Sequence, residues 1–83
     1  MNDTQVHTGV NYKEQFEYYH RLFKDNFTSE DIKAIANSAS LQSNPGTIRN
    51  YLRGAVPNTA TCKAFIEEGI KILQSKGVIF NQI

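Results

Sequence analysis

Apolar side chains recur at helical spacing in four segments of the chain, and polar turns separate these segments. The first segment carries four aromatic residues at steps of four, three and four positions: Tyr12, Phe16, Tyr19 and Phe23. This spacing places them on one face of an α-helix over about residues 11–25. Residues 1–10 are mostly polar and lack the period, which predicts a loose N-terminal arm.

The second segment begins with the clearest helix start in the sequence. Thr28 can cap the first turn, and the carboxylate of Asp31 can complete a capping box. Phe27 precedes the cap at the spacing from Ile32 that a hydrophobic staple requires. The apolar stripe expected to face the core comprises Ile32, Ile35, Ala36 and Ala39.

The third segment follows a turn over residues 41–46. Ser43 or Asn44 can act as the cap, and Pro45 suits the first helical position, where a missing amide costs nothing. We expect a short helix over about residues 45–53, ended by Gly54 in the left-handed conformation. Its inner side is predicted to comprise Ile48, Leu52 and part of Tyr51.

The fourth segment predicts a long helix that starts at a capping signal, Asn58 and Thr59, and ends near residues 76–77. Its inner face comprises Cys62, Phe65, Ile66, Gly69, Ile70, Ile72 and Leu73. The tail, residues 78–83, is apolar for a terminus and is expected to dock or to form a dimer element. We therefore predict one all-α domain over residues 11–77, a small four-helix bundle containing a helix-turn-helix, with five helices as the alternative.

Composition excludes several classes of function. No run approaches the roughly 20 apolar residues that cross a bilayer, and the N-terminus lacks signal-peptide features, so we expect a cytoplasmic protein without membrane contact. His7, His20 and Cys62 are too scattered for a metal site or a nucleophile–base pair, so we expect no metal, no cofactor and no enzyme. Residues 1–40 carry four cations against six carboxylates, and residues 41–83 carry five against two, which weakly favours an anionic partner for the second half.

The third helix has the polar face that major-groove recognition needs. If Ile48 and Leu52 face the core, four residues project outward: Gly46, Arg49, Asn50 and Arg53. Arginine pairs with the O6 and N7 edge of guanine, and asparagine with N6 and N7 of adenine. Hydroxyl, amide and ammonium groups expected to contact phosphates come from Thr47, Tyr51, Asn58, Thr59, Thr61 and Lys63.

Residues 31–73, and above all 47–54 with 56–59, resemble the helix-turn-helix headpieces of the Lac repressor family and the broader lambda-repressor-like group. The resemblance implies a phosphate contact for Thr47 and base reading by Arg49 and Asn50, while Pro45 and Gly46 face the groove and allow close approach. The chain departs from the family in the turn. Ser40 stands where a glycine is usual, and the turn is two residues longer, so it is either extended or entered differently.

These features favour a sequence-specific duplex DNA-binding protein, a small transcriptional regulator that acts as a homodimer and has no small-molecule effector domain. A helical protein–protein interaction module is the alternative, because the first helix is rich in aromatic residues and Tyr18 and Leu22 lie outside its main stripe. A scaffold or toxin-neutralising partner is a third interpretation.

Overall fold

A computed structural model describes residues 11–82, and within this range the chain forms four α-helices and no strand. The helices are α1 (Tyr12–Asn26), α2 (Ser29–Ala36), α3 (Pro45–Leu52) and α4 (Thr59–Ser75). The prediction of an all-α, four-helix fold is confirmed. The predicted N-terminal arm, residues 1–10, and the last residue of the tail, Ile83, lie outside the described residues.

Each helix starts at a polar cap whose side chain accepts a hydrogen bond from the backbone amide three residues later. The four caps are Asn11, Thr28, Asn44 and Asn58. The predicted capping box of α2 is present, because the backbone amide of Thr28 also donates to Asp31 Oδ2 at 2.9 Å. Of the two candidate caps for α3, the structure uses Asn44. Within the capping signal predicted at Asn58 and Thr59, Asn58 is the cap and Thr59 is the first helical residue.

Two glycines end α3 and α4 in the same way. Gly54 has φ of 108° and Gly77 has φ of 75°, a region that side chains with a Cβ rarely adopt. After α4, the amide of Gly77 donates to the carbonyl of Gln74, and the amide of Val78 donates to that of Leu73. This is the Schellman pattern, and an equivalent pair of bonds follows α3, so both helix ends are defined by local sequence.

The core lies mainly between α1 and α4, which run side by side in the same direction. Phe16 packs against Phe65 near their start, and Phe23 lies over Gly69 further along. A Cβ on Gly69 would lie 2.2 Å from the Phe23 ring, so the glycine permits this close approach. The buried apolar residues are Phe16, Tyr19, Phe23, Ile32, Ile35, Ala36, Ile48, Leu52, Cys62, Phe65, Ile66 and Leu73.

An ion pair joins the first turn of α2 to the residue that caps the end of α4. Lys76 Nζ donates to Asp31 Oδ2 and, at 2.8 Å, to the carbonyl of Asn26 at the end of α1. Burial alone would raise the pKa of the Asp31 carboxyl, but hydrogen bonds from Lys76 and from the Thr28 backbone outweigh it and lower the pKa. Asp31 therefore caps α2 and anchors α4 through the same carboxylate.

The connection between α2 and α3 is longer than a tight helix-turn-helix turn. The second helix ends at Ala36, and residues 37–44 follow without helical structure. Ala39 was predicted on the buried stripe, but it is exposed in this turn, because the chain reverses through Ser38 and Gln42 rather than continuing the helix. Gln42 has φ of 44°, and the amide of Ser43 donates back to the carbonyl of Ala36 at 2.7 Å. The non-helical connection therefore begins before the turn that was predicted over residues 41–46.

The tail after α4 partly packs on the domain itself. Val78 and Phe80 are half-buried against the core, and the Phe80 ring lies 6.5 Å from that of Tyr19, edge to face. Ile79 between them is 97% exposed. Through residue 82 the tail forms no strand.

Candidate nucleic-acid interface

The third helix turns its apolar side inward, as predicted. Ile48 is fully buried and Leu52 is 6% exposed. The side chains between them, Arg49 and Asn50, are exposed, as is Arg53 one turn later. A four-residue spacing of apolar residues on two helical turns leaves a polar face of this kind.

The remaining two residues predicted to face a groove, Pro45 and Gly46, differ in their exposure to solvent. Gly46 is exposed in the first turn of α3. Pro45 is half-buried, which leaves less of it available to a partner. Both therefore mark the N-terminal end of the exposed face, with the charged groups following toward its C-terminal end.

Asn50 and Arg53 form a pair on this face. Arg53 Nη1 donates to Asn50 Oδ1 at 3.1 Å, as residues three apart on a helix can. An amide oxygen has two lone pairs, so Asn50 keeps one acceptor position and both of its amide donors for a base edge. The contact orders the asparagine side chain, which reduces the entropy lost when it binds.

The residues predicted to contact phosphates occupy two places. Thr47 and Tyr51 are half-buried on α3, and the Tyr51 ring lies 5.6 Å from that of Phe65 in an edge-to-face contact. The other four lie at the start of α4, and three of them, Asn58, Thr59 and Lys63, are exposed. The Asn58 side chain already accepts from the Thr61 amide at 2.8 Å, so a phosphate would compete with the cap for that amide.

A second lysine, Lys13, lies in the first turn of α1 and was not assigned a role from the sequence. Burial raises the pKa of the Cys62 thiol, and the charge of Lys13 partly opposes that shift. Lys63 lies over the Tyr12 ring, with Nζ 6.0 Å from its centroid. The first turns of α1 and α4 therefore lie side by side, and each helix carries a lysine there. No local sequence signal could show that these two helices start at the same end of the domain.

The cations of the molecule fall into two sets. Four of them pair with carboxylates, in the contacts Arg21–Glu17, Lys33–Glu30, Lys71–Glu68 and Lys76–Asp31. Within residues 11–82, no carboxylate lies within ion-pair distance of the other five, which are Lys13, Lys24, Arg49, Arg53 and Lys63. Of these, only Lys24 lies away from α3 and from the first turns of α1 and α4. The cations on α3 and near the start of α4 are therefore not held in ion pairs with described residues, and they can interact with an external anion.

The buried histidine on α1 was not assigned a role from the sequence. His20 is 7% exposed and stacks on Phe16, with ring centroids 5.2 Å apart. Its Nδ1 lies 3.1 Å from the carbonyl oxygen of Leu52, at the C-terminal end of α3. A contact across 32 residues leaves no local pattern in the sequence.

An open depression follows the outer side of α1. It is lined by Glu14, Glu17, Tyr18, Arg21, Leu22 and Asp25. Tyr18 and Leu22 are half-buried, and three of the four charged groups are carboxylates. This surface is mainly negative, whereas the exposed face of α3 carries positive charge.

The described residues contain neither a candidate metal site nor a helix that could span a membrane. No group of three or more His, Cys, Asp or Glu side chains there could hold a metal ion. None of the helices in residues 11–82 is both long and apolar enough to span a bilayer. No family model, curated protein or solved structure matches the chain.

Proposed function

We propose that the protein is a sequence-specific duplex DNA-binding protein that inserts α3 into the major groove and acts as a small transcriptional regulator. The observation that carries this proposal is the orientation of α3. Its burial of Ile48 and Leu52 leaves Arg49, Asn50 and Arg53 exposed on one side. These are the side chains that make bidentate contacts with guanine and adenine edges.

Unpaired positive charge beside that face supports the proposal. Lys63 lies in the second turn of α4, a short connection away from the end of α3, and Lys13 lies in the first turn of α1, next to the Tyr12 ring that Lys63 covers. Lysines in this position can neutralise backbone phosphates and fix the register of α3 without reading sequence. Thr47, Tyr51 and Thr59 supply hydroxyl groups for the same purpose.

The size of α3 favours two copies on one site. Eight residues span about 12 Å of helix axis, and a single small module buries roughly 600–1,000 Å² on DNA, less than most tight specific complexes. We therefore propose a homodimer on two half-sites about one helical turn, or ~34 Å, apart. Mass in solution, measured with and without a selected duplex, tests this part.

The first experiment selects bound sequences from a pool of random duplexes and then measures affinity for the enriched site at several salt concentrations. Each neutralised phosphate should contribute about −0.9 to the slope of log affinity against log salt. Arg49→Ala and Asn50→Ala should lower the preference for the enriched site by about 5- to 150-fold, which corresponds to about 1–3 kcal/mol per bidentate contact. Lys63→Ala and Lys13→Ala should weaken binding to all duplexes alike.

Arg21→Ala is the matched control. It removes the same charge from an exposed site on the outer side of α1, where Arg21 pairs with Glu17. Affinity and preference should stay near those of the unaltered protein. If Arg21→Ala and Arg49→Ala have equal effects, net charge explains the binding and the proposed role of the α3 face is refuted.

A protein-interaction module remains the second candidate, and the depression on α1 is the observation that favours it. An apolar floor rimmed mainly by carboxylates suits a helical partner better than DNA. The affinity of the protein for such a partner should respond weakly to salt. Leu22→Ala should lower this affinity, and Arg49→Ala should not.

A further inference from the structure

The carbonyl groups at the end of α3 are satisfied by two different means. The reversal at Gly54 uses the local chain, with the amide of Gly54 donating to the carbonyl of Tyr51 and that of Ala55 to the carbonyl of Asn50. The carbonyl of Leu52 receives its hydrogen bond from α1 instead, through Nδ1 of His20 at 3.1 Å. Because Leu52 is buried, water is a poor substitute for this donor.

The histidine ring is itself held on several sides. It stacks on Phe16 within α1, and its Nε2 lies 3.8 Å from a carboxylate oxygen of Glu17. The backbone passes close to the ring at Gly54, where a Cβ would lie 3.5 Å from Cε1. The ring is thus a fixed donor, and its hydrogen bond transmits the position of α1 to the end of α3.

The other contacts of α3 with the core are mainly apolar, and they include the edge-to-face contact of Tyr51 with Phe65. The helix has about two turns, of which Ile48 and Leu52 enter the core. Apolar contacts resist separation but allow small rotations, because dispersion attraction is not directional. A hydrogen bond weakens steeply as its angle changes, so it restrains such a rotation.

We propose that His20 is a positioning residue for DNA recognition, which fixes the C-terminal end of α3 and thereby the direction of Arg49, Asn50 and Arg53. This inference rests on the proposed DNA-binding function. Bidentate contacts to base edges need correct angles, whereas attraction to phosphates falls off slowly with distance. Loss of the His20 hydrogen bond therefore lowers sequence preference and leaves non-specific binding unchanged.

The experiment compares two variants of the full chain, using a selected duplex and a scrambled duplex of equal length. His20→Phe keeps an aromatic ring against Phe16 but removes the donor, and His20→Asn places an amide donor close to the position of Nδ1. The ratio of affinities for the two duplexes should fall about tenfold in His20→Phe, as for the loss of one bidentate contact. Binding to the scrambled duplex and the salt slope should not change, and His20→Asn should restore most of the ratio.

The outcomes separate the two proposals. If the unaltered protein does not distinguish the duplexes, the proposed function fails. If it does distinguish them and His20→Phe distinguishes them equally well, only the positioning role is refuted. A fall in affinity for both duplexes alike would also refute it, since that is what general loss of structure produces.

A measurement on the unaltered protein keeps the inference testable should His20→Phe fail to fold. The exchange of the Nδ1 proton with water can be followed by nuclear magnetic resonance with either duplex bound. The selected duplex should slow this exchange more than the scrambled duplex does, because seating α3 in its groove holds Leu52 against the ring. Equal exchange with the two duplexes would overturn the inference.

Discussion

Substituting alanine for Gly69 is expected to destabilise the domain, although alanine is the better helix former. A Cβ at this position would lie 2.2 Å from Cε2 and 2.3 Å from Cζ of Phe23. Carbon atoms in contact are about 3.5–4.0 Å apart, so one group has to move by roughly 1.5 Å. The ring has little room to do so, because it is fully buried, 4.9 Å from the ring of Phe27 and 5.3 Å from that of Phe65.

The size of the effect follows from two opposing contributions. Overpacking in a core costs about 1–3 kcal/mol, and the displacement required places Gly69→Ala near the upper value. The higher helix propensity of alanine offsets about 1 kcal/mol of this cost. The net loss in unfolding free energy is therefore about 2 kcal/mol, from a total of about 4–12 kcal/mol for a domain of this size. The midpoint of thermal unfolding should fall by about 8–16 °C, measured by circular dichroism.

A double-mutant cycle with Phe23→Leu isolates the cause. The shorter side chain removes the ring atoms that the new methyl group would meet, so Gly69→Ala should be neutral or stabilise by up to about 1 kcal/mol in that background. An equal loss in both backgrounds, or a rise in stability in the unaltered protein, would show that the α1–α4 approach does not depend on this glycine.

Three further predictions concern stability, each measured by urea unfolding. Asn58→Ala should lower the free energy of unfolding by about 1 kcal/mol and Thr59→Ala by much less, because the α4 cap lies at residue 58. Equal losses in the two variants would contradict this. Asp31 has a lowered pKa in the folded state, so its contribution is complete above about pH 4 and is lost as pH falls through the folded pKa. Lys76→Gln should reduce the loss of stability at acid pH. An unchanged dependence of stability on pH would argue against the ion pair. Ser38→Ala removes a buried hydroxyl without a hydrogen-bond partner and should raise stability by up to about 1 kcal/mol, whereas a loss would reveal a partner.

The helices could be predicted because their signals are local. The cap and the carboxylate of the α2 capping box are three residues apart, and the glycine that ends α3 comes directly after the helix. The inward rotation of α3 followed from the same kind of signal, a four-residue spacing between Ile48 and Leu52.

What could not be predicted depends on how separate elements meet. Ala39 continues the helical period, so periodicity could not show that α2 ends at Ala36 and that the chain then turns through Gln42. The contact between His20 and Leu52 requires the relative position of α1 and α3. The same holds for Lys13, whose place beside the start of α4 follows from the parallel packing of α1 and α4.

The central claim is that the exposed face of α3 contacts duplex DNA. Amide chemical shifts recorded during titration with a selected duplex test it residue by residue, with a scrambled duplex as the reference. The largest differences between the two titrations should fall on Gly46, Arg49, Asn50 and Arg53, with shifts near Lys63 common to both. Shifts concentrated around Tyr18 and Leu22 on α1, with α3 unaffected, would contradict the claim.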